Sequence, residues 1–414
     1  MSMKLIKSTK SMKSMKSMTN DLLFTKRVLE CPVCNEINNI SEVIHLPGYP
    51  LTELFQDSPP KNEIHAVTHL DQTFCFCSSC SHGYLKEIIP PEFLYSKENY
   101  NTVTTLSQGS LISVNNFASF ISRNVEEYSE YAIDIGGNDS NLLRKIGRVD
   151  GCIIDPNAGS DSCDFKCLHE FVEEINPDSF NYQSVDVISS HTLEHIANPH
   201  VFFKFITQIS NLSNVFIQVP CLELMSSSAR YDLIHHQHLH YFSLESLARL
   251  AALYGLSVCD HEYDIDHYGT LRVHLRLLDT QTFNPICQFH TSQLSATSIR
   301  AEYERFVSIT STQTLEIKRL PNLYCYGASL MLPIVFYYYP CLSDACLGII
   351  DQDKNKSSSW YANVPSPIIH DDQTSLEDKS IVISAVATRS ACRKIVQKII
   401  DRNPMHIFIP FGEF

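Results

Sequence analysis

Short apolar runs alternate with helical patterns of apolar and polar residues over most of the chain. Short bounded apolar runs are typical of buried strands, and apolar spacing of three to four residues is typical of helices. Strand-like runs in the middle of the chain lie at 131–135, 151–155, 185–190, 214–220, 256–263 and 270–278. Helices are predicted at 110–128, from Leu142 onward and at 244–254. This alternation, closed by a hairpin, predicts a doubly wound α/β domain over residues 106–285.

The same alternation returns after a polar segment with helical spacing at 291–320. The later strand-like runs lie at 323–329, 346–351, 380–385 and 407–411. The first run contains Gly327 and the second ends in Asp351, which is the pattern of a nucleotide-binding unit. We therefore predict a bridging helix and a C-terminal Rossmann-like domain over 286–414. We expect this domain to bind no cofactor, and a second cofactor site is the alternative.

Residues 21–105 carry two Cys-x-x-Cys pairs, which predict a small zinc-binding module. The sulfurs belong to Cys31, Cys34, Cys77 and Cys80. Each pair presents two thiolates from one tight turn, which suits tetrahedral coordination of Zn²⁺. Such a closed site would be structural and would substitute for core in a small module. Cys75 could replace one ligand, and free cysteines or a redox pair are the alternative.

Composition narrows the classes of protein. The chain has 414 residues, a net charge of −14 and 44% apolar residues, which describes a globular protein with room for two or three domains. The acidic balance disfavours nucleic acid as a partner. No window reaches the roughly 18 apolar residues of a membrane helix, so no membrane partner is expected.

The N-terminal segment and the cysteines bear on location. Lysines recur among serine and methionine in residues 1–20, which predicts a disordered tail. A weak contact of this tail with an anionic surface is the alternative. Fifteen cysteines without framework spacing, in a chain lacking a secretory signal, predict a cytoplasmic location.

The turn after the first central strand is the candidate cofactor site. An acid precedes two glycines there, and the residues of the turn are Asp134, Gly136, Gly137, Asn138 and Asp139. Glycine lets backbone approach a ligand closely, and free N–H groups at a helix start attract negative groups. The spacing differs from the G-x-G-x-x-G dinucleotide fingerprint.

Two other strand ends are expected at the same edge of the sheet. Asp155, followed by Pro156, ends the second strand about twenty residues after the glycine turn. An acid there can accept hydrogen bonds from a ribose diol. His191 and His195 follow the third predicted strand, and we expect both to line the cofactor.

A histidine run follows the fourth predicted strand. It contains His235, His236, His238 and His240. Histidine titrates near neutrality, so one of these side chains can exchange a proton with a substrate. The alternatives are a histidine-rich surface loop and a metal site, although Asp and Glu neighbours that would complete a metal shell are sparse in this stretch.

A later turn, His267-Tyr-Gly-Thr-Leu-Arg272, adds an imidazole and a guanidinium. Arginine can hold a phosphate bidentately. A surface ion pair is the alternative for Arg272.

The order of these motifs resembles that of the sugar C-methyltransferases of deoxysugar pathways. The resemblance covers residue 30 to the end and rests on the cysteine pairs, the Asp-Ile-Gly-Gly-Asn-Asp turn, the Ile-Asp-Pro strand end and the runs 231–243 and 267–272. It implies a zinc-binding N-terminal module, a class I methyltransferase domain that binds S-adenosylmethionine (AdoMet), and a C-terminal Rossmann-like domain. The implied reaction deprotonates a nucleotide-linked 4-keto-6-deoxyhexose beside its ketone, and the enolate then attacks the methyl group of AdoMet.

The resemblance also implies residue roles. The family's usual run Ile-Tyr-His-Glu-His reads here Ile234-His235-His236-Gln237-His238, so His235 and Gln237 replace a tyrosine and a glutamate. We expect His238 to be the base and His236 to orient the substrate. Gln237 cannot exchange a proton, but it can hydrogen-bond a substrate hydroxyl. The substrate-binding residues implied are Tyr100, Tyr241, His267 and Arg272.

Other functions stay open at this point. The first alternative is O-methylation of a sugar hydroxyl. A nucleic-acid methyltransferase or a non-catalytic AdoMet-binding protein is the second. We expect a nucleotide sugar as the partner, and a monomer or a homodimer.

Overall fold

The computed structural model describes residues 26–60, 68–90, 108–158, 164–278, 294–384 and 388–411. The predicted tail (1–20) and Tyr100 lie outside the described residues. The strands, in chain order, are β1 Lys26–Arg27, β2 Ile40–Pro50, β3 Phe55–Gln56, β4 His69–Cys77, β5 His82–Leu85, β6 Glu87–Ile88, β7 Tyr131–Ile135, β8 Gly151–Ile154, β9 Lys166–Leu168, β10 Val185–Ser190, β11 Leu212–Pro220, β12 His240–Tyr241, β13 Leu256–Asp264, β14 Thr270–Leu277, β15 Leu323–Tyr326, β16 Ile349–Asp351, β17 Trp360–Tyr361, β18 Ile368–His370, β19 Ser380–Ile383 and β20 His406–Phe408. The helices are α1 Gln108–Arg123, α2 Asn141–Lys145, α3 Pro199–Gln208, α4 Leu222–Ser227, α5 Leu244–Ala252, α6 Ala296–Ile317, α7 Leu332–Tyr338, α8 Leu342–Ala345 and α9 Arg389–Ile400.

The central sheet has seven strands in the order β13-β14-β11-β10-β7-β8-β9. The strands from β7 to β11 run parallel, and β14 lies antiparallel between β11 and β13. This strand order is that of class I methyltransferases, so the predicted fold class is confirmed. The sequence did not reveal β9, because its three residues carry too little apolar pattern to mark a strand.

Helices cover both faces of the central sheet. Its parallel strands are therefore buried on both sides and read as nearly continuous apolar runs. Phe117 of α1 packs on one face, and Phe202 of α3 packs on the other. The carboxyl ends of β7, β8, β10 and β11 meet at one edge, where open α/β sheets bind small molecules.

The N-terminal sheet takes one strand from far along the chain. Its four antiparallel strands lie in the order β12-β5-β4-β2. In β12, His240 pairs with Tyr84 and Tyr241 pairs with Gly83. The histidine run thus supplies the edge strand of the cysteine-bearing sheet. A strand of two residues has no periodicity, so the sequence did not predict this pairing.

The C-terminal sheet has five parallel strands in the order β18-β16-β15-β19-β20. The sequence predicted four of them and missed β18. The bridging helix α6 begins after Ser295, whose hydroxyl accepts a hydrogen bond from the Ser298 amide at 3.0 Å. One apolar cluster joins Phe74 of the N-terminal sheet, Phe306 of α6 and Ile350 of the C-terminal sheet. These parts of the chain therefore share a core.

Candidate active site

The glycine turn after β7 leaves no room for side chains. Gly136 has φ of +77°, and a Cβ there would lie 1.9 Å from Oγ1 of Thr192. A Cβ on Gly137 would lie 2.7 Å from the carboxyl carbon of Asp134. Both positions therefore need glycine, because the turn packs directly against the loop that follows β10. Thr192 is more than fifty residues away along the chain, so its contact with the turn was not predicted.

Asp134 is buried beneath this turn, and neither of its carboxylate oxygens has a hydrogen-bond partner among the described residues. Burial, together with the nearby charges of Asp155 and Asp139, raises the pKa of the Asp134 carboxyl to about 8. A cation brought into contact with this carboxylate would stabilise its ionised form. The side chain therefore fits the ammonium group of AdoMet.

Asp155 ties the end of β8 to the glycine turn. One of its oxygens accepts a hydrogen bond from the Asn138 amide at 3.1 Å, and the other accepts from the Asn157 amide at 2.7 Å. Each carboxylate oxygen can accept a further bond, so both remain able to receive ribose hydroxyls. Pro156 follows directly. Asp139 accepts from the Asn141 amide at 3.2 Å, which supports the start of α2.

His191 and His195 lie after β10, where they meet the histidine run. The Nδ1–H group of His195 donates to the carbonyl oxygen of Gln237 at 2.8 Å. The ring of His191 lies 5.1 Å from that of His267, between centroids. His191 and His195, which were predicted to bind the cofactor, therefore also lie beside residues that were predicted to contact the substrate.

Glu194 is a functional candidate that the sequence analysis missed. Its side chain is fully buried, and its Oε1 lies 3.3 Å from Nδ1 of His191 and 3.9 Å from Nε2 of His195. Burial raises the pKa of the Glu194 carboxyl to about 7. A glutamate between two histidines, just after a strand of the sheet, was the available signal.

The histidine run is buried. His235, His236, Gln237 and His238 are exposed by only 1%, 2%, 7% and 5%. Both ring nitrogens of His235, and Nδ1 of His236 and of His238, have no hydrogen-bond partner among the described residues. Burial lowers the pKa of these imidazoles, to about 3 for His236, so they are neutral at cellular pH. The alternative of a histidine-rich surface loop is therefore wrong.

The run is brought together with the loop after β10. The ring of His238 lies 3.8 Å from that of His235 and 4.9 Å from that of His195, between centroids. Tyr241 holds the backbone of the run, because its hydroxyl accepts a hydrogen bond from the His235 amide at 3.1 Å. Tyr49 of the N-terminal sheet donates its hydroxyl to the carbonyl of Ile234 at 2.5 Å.

Arg272 requires a correction. We expected it to hold a phosphate, but its side chain is 1% exposed and its guanidinium is fully engaged within the central sheet. Its Nε donates to Gln218 at 2.7 Å, and its other two nitrogens donate to Glu262 and Asp264. Two protein carboxylates accept the paired guanidinium hydrogen bonds that a phosphate would need.

His267 lies next to His191 and also contacts the C-terminal part of the chain. Its Nδ1 is 2.6 Å from Oγ1 of Thr388. The ring of Tyr268 lies near both His267 and the histidine run. Its centroid is 4.4 Å from that of His267 and 5.8 Å from that of His238. Tyr268 therefore narrows the space in front of the histidine run.

The four predicted zinc ligands converge in the structure. The sulfur atoms of Cys31, Cys34, Cys77 and Cys80 lie within 4.8 Å of one another. Cys31 and Cys80 are 3.5 Å apart, and Cys34 and Cys77 are 3.6 Å apart. Sulfurs bound tetrahedrally to Zn²⁺ lie about 3.8 Å apart, so this donor set fits zinc. Cys75 is not part of the cluster.

Comparisons with known proteins bear on the central domain. Residues 114–261 match the model of a family described as "Methyltransferase domain". A comparison with curated proteins gave no match. The central domain therefore has the strand order of class I methyltransferases, and residues 114–261 match a methyltransferase family.

Solved structures resemble this domain only distantly. The 1,6-didemethyltoxoflavin-N1-methyltransferase of Burkholderia thailandensis is 12% identical, with 40% of this chain and 79% of that chain covered and a TM-score of 0.33. The magnesium protoporphyrin IX methyltransferase of Synechocystis is 8% identical, with 43% and 90% covered and a TM-score of 0.34. These values carry no information about the substrate of this chain. Among the described residues, every helix is too short or too polar to cross a membrane.

Proposed function

We propose that the protein transfers a methyl group from AdoMet to a nucleotide-linked keto-deoxysugar, at the carbon beside the ketone. One observation carries the proposal. Buried histidines whose ring nitrogens have no partner among the described residues lie against the loop that follows β10, and Thr192 of that loop touches the glycine turn. A neutral imidazole beside the cofactor can accept the proton that leaves the substrate carbon.

In this proposal His238 takes the proton and His236 orients the sugar. Glu194 supports the step, because it lies 3.9 Å from Nε2 of His195, and the ring of His195 packs against that of His238. A buried carboxylate stabilises a positive charge that forms on this pair of rings. The protonated form of the acceptor, His238, is therefore stabilised by the carboxylate of Glu194.

The cofactor side is proposed to be built from the glycine turn and β8. AdoMet, when bound, supplies the methyl group of a sulfonium. Asp134 would meet its ammonium, the two glycines would admit its amino-acid end, and Asp155 would accept hydrogen bonds from its ribose. Holding donor and acceptor in line contributes much of the rate enhancement of such a transfer.

The acceptor side is proposed to include Gln237, Tyr241 and His267. Arg272 no longer belongs to it, because its guanidinium is engaged by Glu262 and Asp264. Tyr100 stays a prediction from the sequence. We further propose that zinc on the four cysteines is structural, because four thiolates leave no open coordination position.

O-methylation is a second candidate, and Gln237 favours it. Its amide nitrogen donates to Glu53 at 3.3 Å, so its carbonyl oxygen can accept from a sugar hydroxyl. A histidine base suffices to deprotonate a hydroxyl as the methyl group arrives.

Deuterium exchange separates the two candidates. The protein is incubated in D₂O with AdoMet and either a 4-keto nucleotide sugar or its 4-hydroxyl counterpart. C-methylation predicts deuterium wash-in beside the ketone, slowed by about 100-fold or more in His238→Ala. His261→Ala, which changes an exposed histidine on β13, is the matched control and leaves the rate unchanged. Methylation of the hydroxyl sugar without wash-in would establish O-methylation instead.

A further inference from the structure

Three metal-ligating side chains from two separate loops converge beside the histidine run. Glu194 and His195 follow β10, and His238 lies some forty residues later. One ligand atom from each lies within 4.8 Å of the others. Glu194 and His195 are adjacent in the sequence, and the fold brings both of them against His238. Atoms bound to one ion at about 2.1 Å lie at most about 4.2 Å apart, so small side-chain rotations suffice for coordination.

Hydrogen bonds and close contacts hold the three side chains in place. His195 donates its Nδ1–H to the Gln237 carbonyl, and its Nε2 lies 3.9 Å from Oε1 of Glu194. A histidine fixed through its other nitrogen to a backbone carbonyl is the usual arrangement of a metal ligand. Oε2 of Glu194 and Nδ1 of His238 are buried without a partner among the described residues.

Charge balance favours a cation at this position. Glu194 is fully buried, and the ion pairs found for it among the described residues involve only histidines. A buried carboxylate is normally paired with a positive charge or bound to a metal.

We propose that Glu194, His195 and His238 bind one divalent transition-metal ion, distinct from the zinc of the four cysteines. Two imidazoles and one carboxylate suit Zn²⁺, Fe²⁺, Co²⁺ or Mn²⁺. Three protein ligands leave coordination positions open, unlike the closed four-thiolate site. The metal binding itself requires no assumption about the reaction.

The consequence for catalysis rests on the proposed function. An open position could take the substrate oxygen, where the ion would stabilise the negative charge that develops on it. His238 cannot both bind the ion and accept the proton, so in the metal-bound protein the role of base proposed above for His238 passes to His235. The ring of His235 lies 3.8 Å from that of His238, and neither of its nitrogens has a hydrogen-bond partner among the described residues.

Cobalt titration of the zinc-loaded protein tests the proposal without AdoMet or acceptor. Thiolate ligands give Co²⁺ intense charge-transfer absorption, whereas nitrogen and oxygen ligands give only weaker d–d bands, so the two sites are distinguishable. We expect about one Co²⁺ to bind per chain with d–d bands alone. Glu194→Gln and His195→Ala should each weaken binding about 10-fold or more, and His261→Ala should not.

Separate control measurements report on the folding of the variants and on their function. Far-UV circular dichroism and thermal unfolding of each variant report whether the chain is folded, and His238→Gln serves as a third, milder variant. A zinc-loaded protein that binds no further Co²⁺, or binds it equally well in folded Glu194→Gln and His238→Gln, would overturn the proposal. A protein that binds the ion but methylates no sugar would refute the proposed function alone, and methyl transfer by protein without this ion would refute only the ion's role in catalysis.

Discussion

Nε2 of His82 lies 3.2 Å from Nδ1 of His240, and this contact links the cysteine-bearing sheet to the histidine run. Nε2 of His240 lies 2.9 Å from the carbonyl oxygen of Ile196, to which it must donate. His240 therefore accepts through Nδ1, and His82 donates. The N-terminal sheet thus holds both loops that carry the candidate acceptor site.

Zinc removal should therefore impair the acceptor side more than the cofactor side. Cys77→Ser loosens the sheet that pairs with β12, while the glycine turn is held by the central sheet. We expect methyl transfer to fall at least about 10-fold, a typical loss for a metal site's support, with AdoMet affinity little changed. Calorimetry and a transfer assay measure the two effects. Cys75→Ser, which changes a buried cysteine outside the cluster, is the control, and an equal loss of AdoMet affinity would contradict the account.

Gly136→Ala should abolish AdoMet binding. The new Cβ would lie 1.9 Å from the Thr192 hydroxyl, so the turn must move away from the loop after β10. Gly147→Ala is the matched control, because Gly147 also has a positive φ (+73°) but no atom within 4 Å of the added Cβ. Both substitutions strain the backbone, but only Gly136→Ala adds a clash, so comparing the two variants measures the effect of the clash. AdoMet binding that is retained by Gly136→Ala would mean that the turn does not hold the cofactor.

AdoMet affinity should rise with pH. The Asp134 pKa is about 8 in the folded protein against an ordinary 3.8. The folded state thus keeps a proton that the unfolded state releases, and its stability falls as pH rises from about 4 through 8. AdoMet pairs with the ionised carboxylate, so its dissociation constant should decrease between pH 6 and 8 and level off above that.

Calorimetry across this pH range checks the linkage. Asp134→Asn should weaken AdoMet binding at pH 8 and remove its pH dependence. Asp178→Asn, at an exposed carboxylate, should bind as the unchanged protein does. An affinity that is flat from pH 6 to 8 in the unchanged protein would rule out Asp134 as the partner of the ammonium.

Arg272→Ala should lower the stability of the folded protein and should not selectively weaken substrate binding. Removing the guanidinium leaves Glu262 and Asp264 without their buried partner, which typically costs about 3 kcal/mol of unfolding free energy. Arg276→Ala, at an exposed position of the same strand, should cost little. Urea unfolding measures both. A stable Arg272→Ala protein with a raised KM for the nucleotide sugar would restore the phosphate role.

Local features of the sequence predicted much of this architecture. The cysteine pairs and the glycine turn are encoded within a few residues, so their spacing predicted a four-sulfur cluster and a strand-to-helix turn. The carboxylates that engage Arg272 lie across a hairpin, on the neighbouring strand. The pairing of His240 with Tyr84 and the packing of His195 against His238 join segments that are far apart in the chain. The periodicity of one strand carries no information about such partners.

The most direct test of the proposed reaction is the carbon NMR spectrum of the product formed with ¹³C-methyl-labelled AdoMet and a 4-keto-6-deoxy nucleotide sugar. The account predicts a labelled methyl group bonded to the ring carbon beside the ketone, formed by the unchanged protein and lost in His238→Ala. A labelled methyl group on a sugar oxygen, or no transfer to any nucleotide sugar by protein that binds AdoMet, would contradict it.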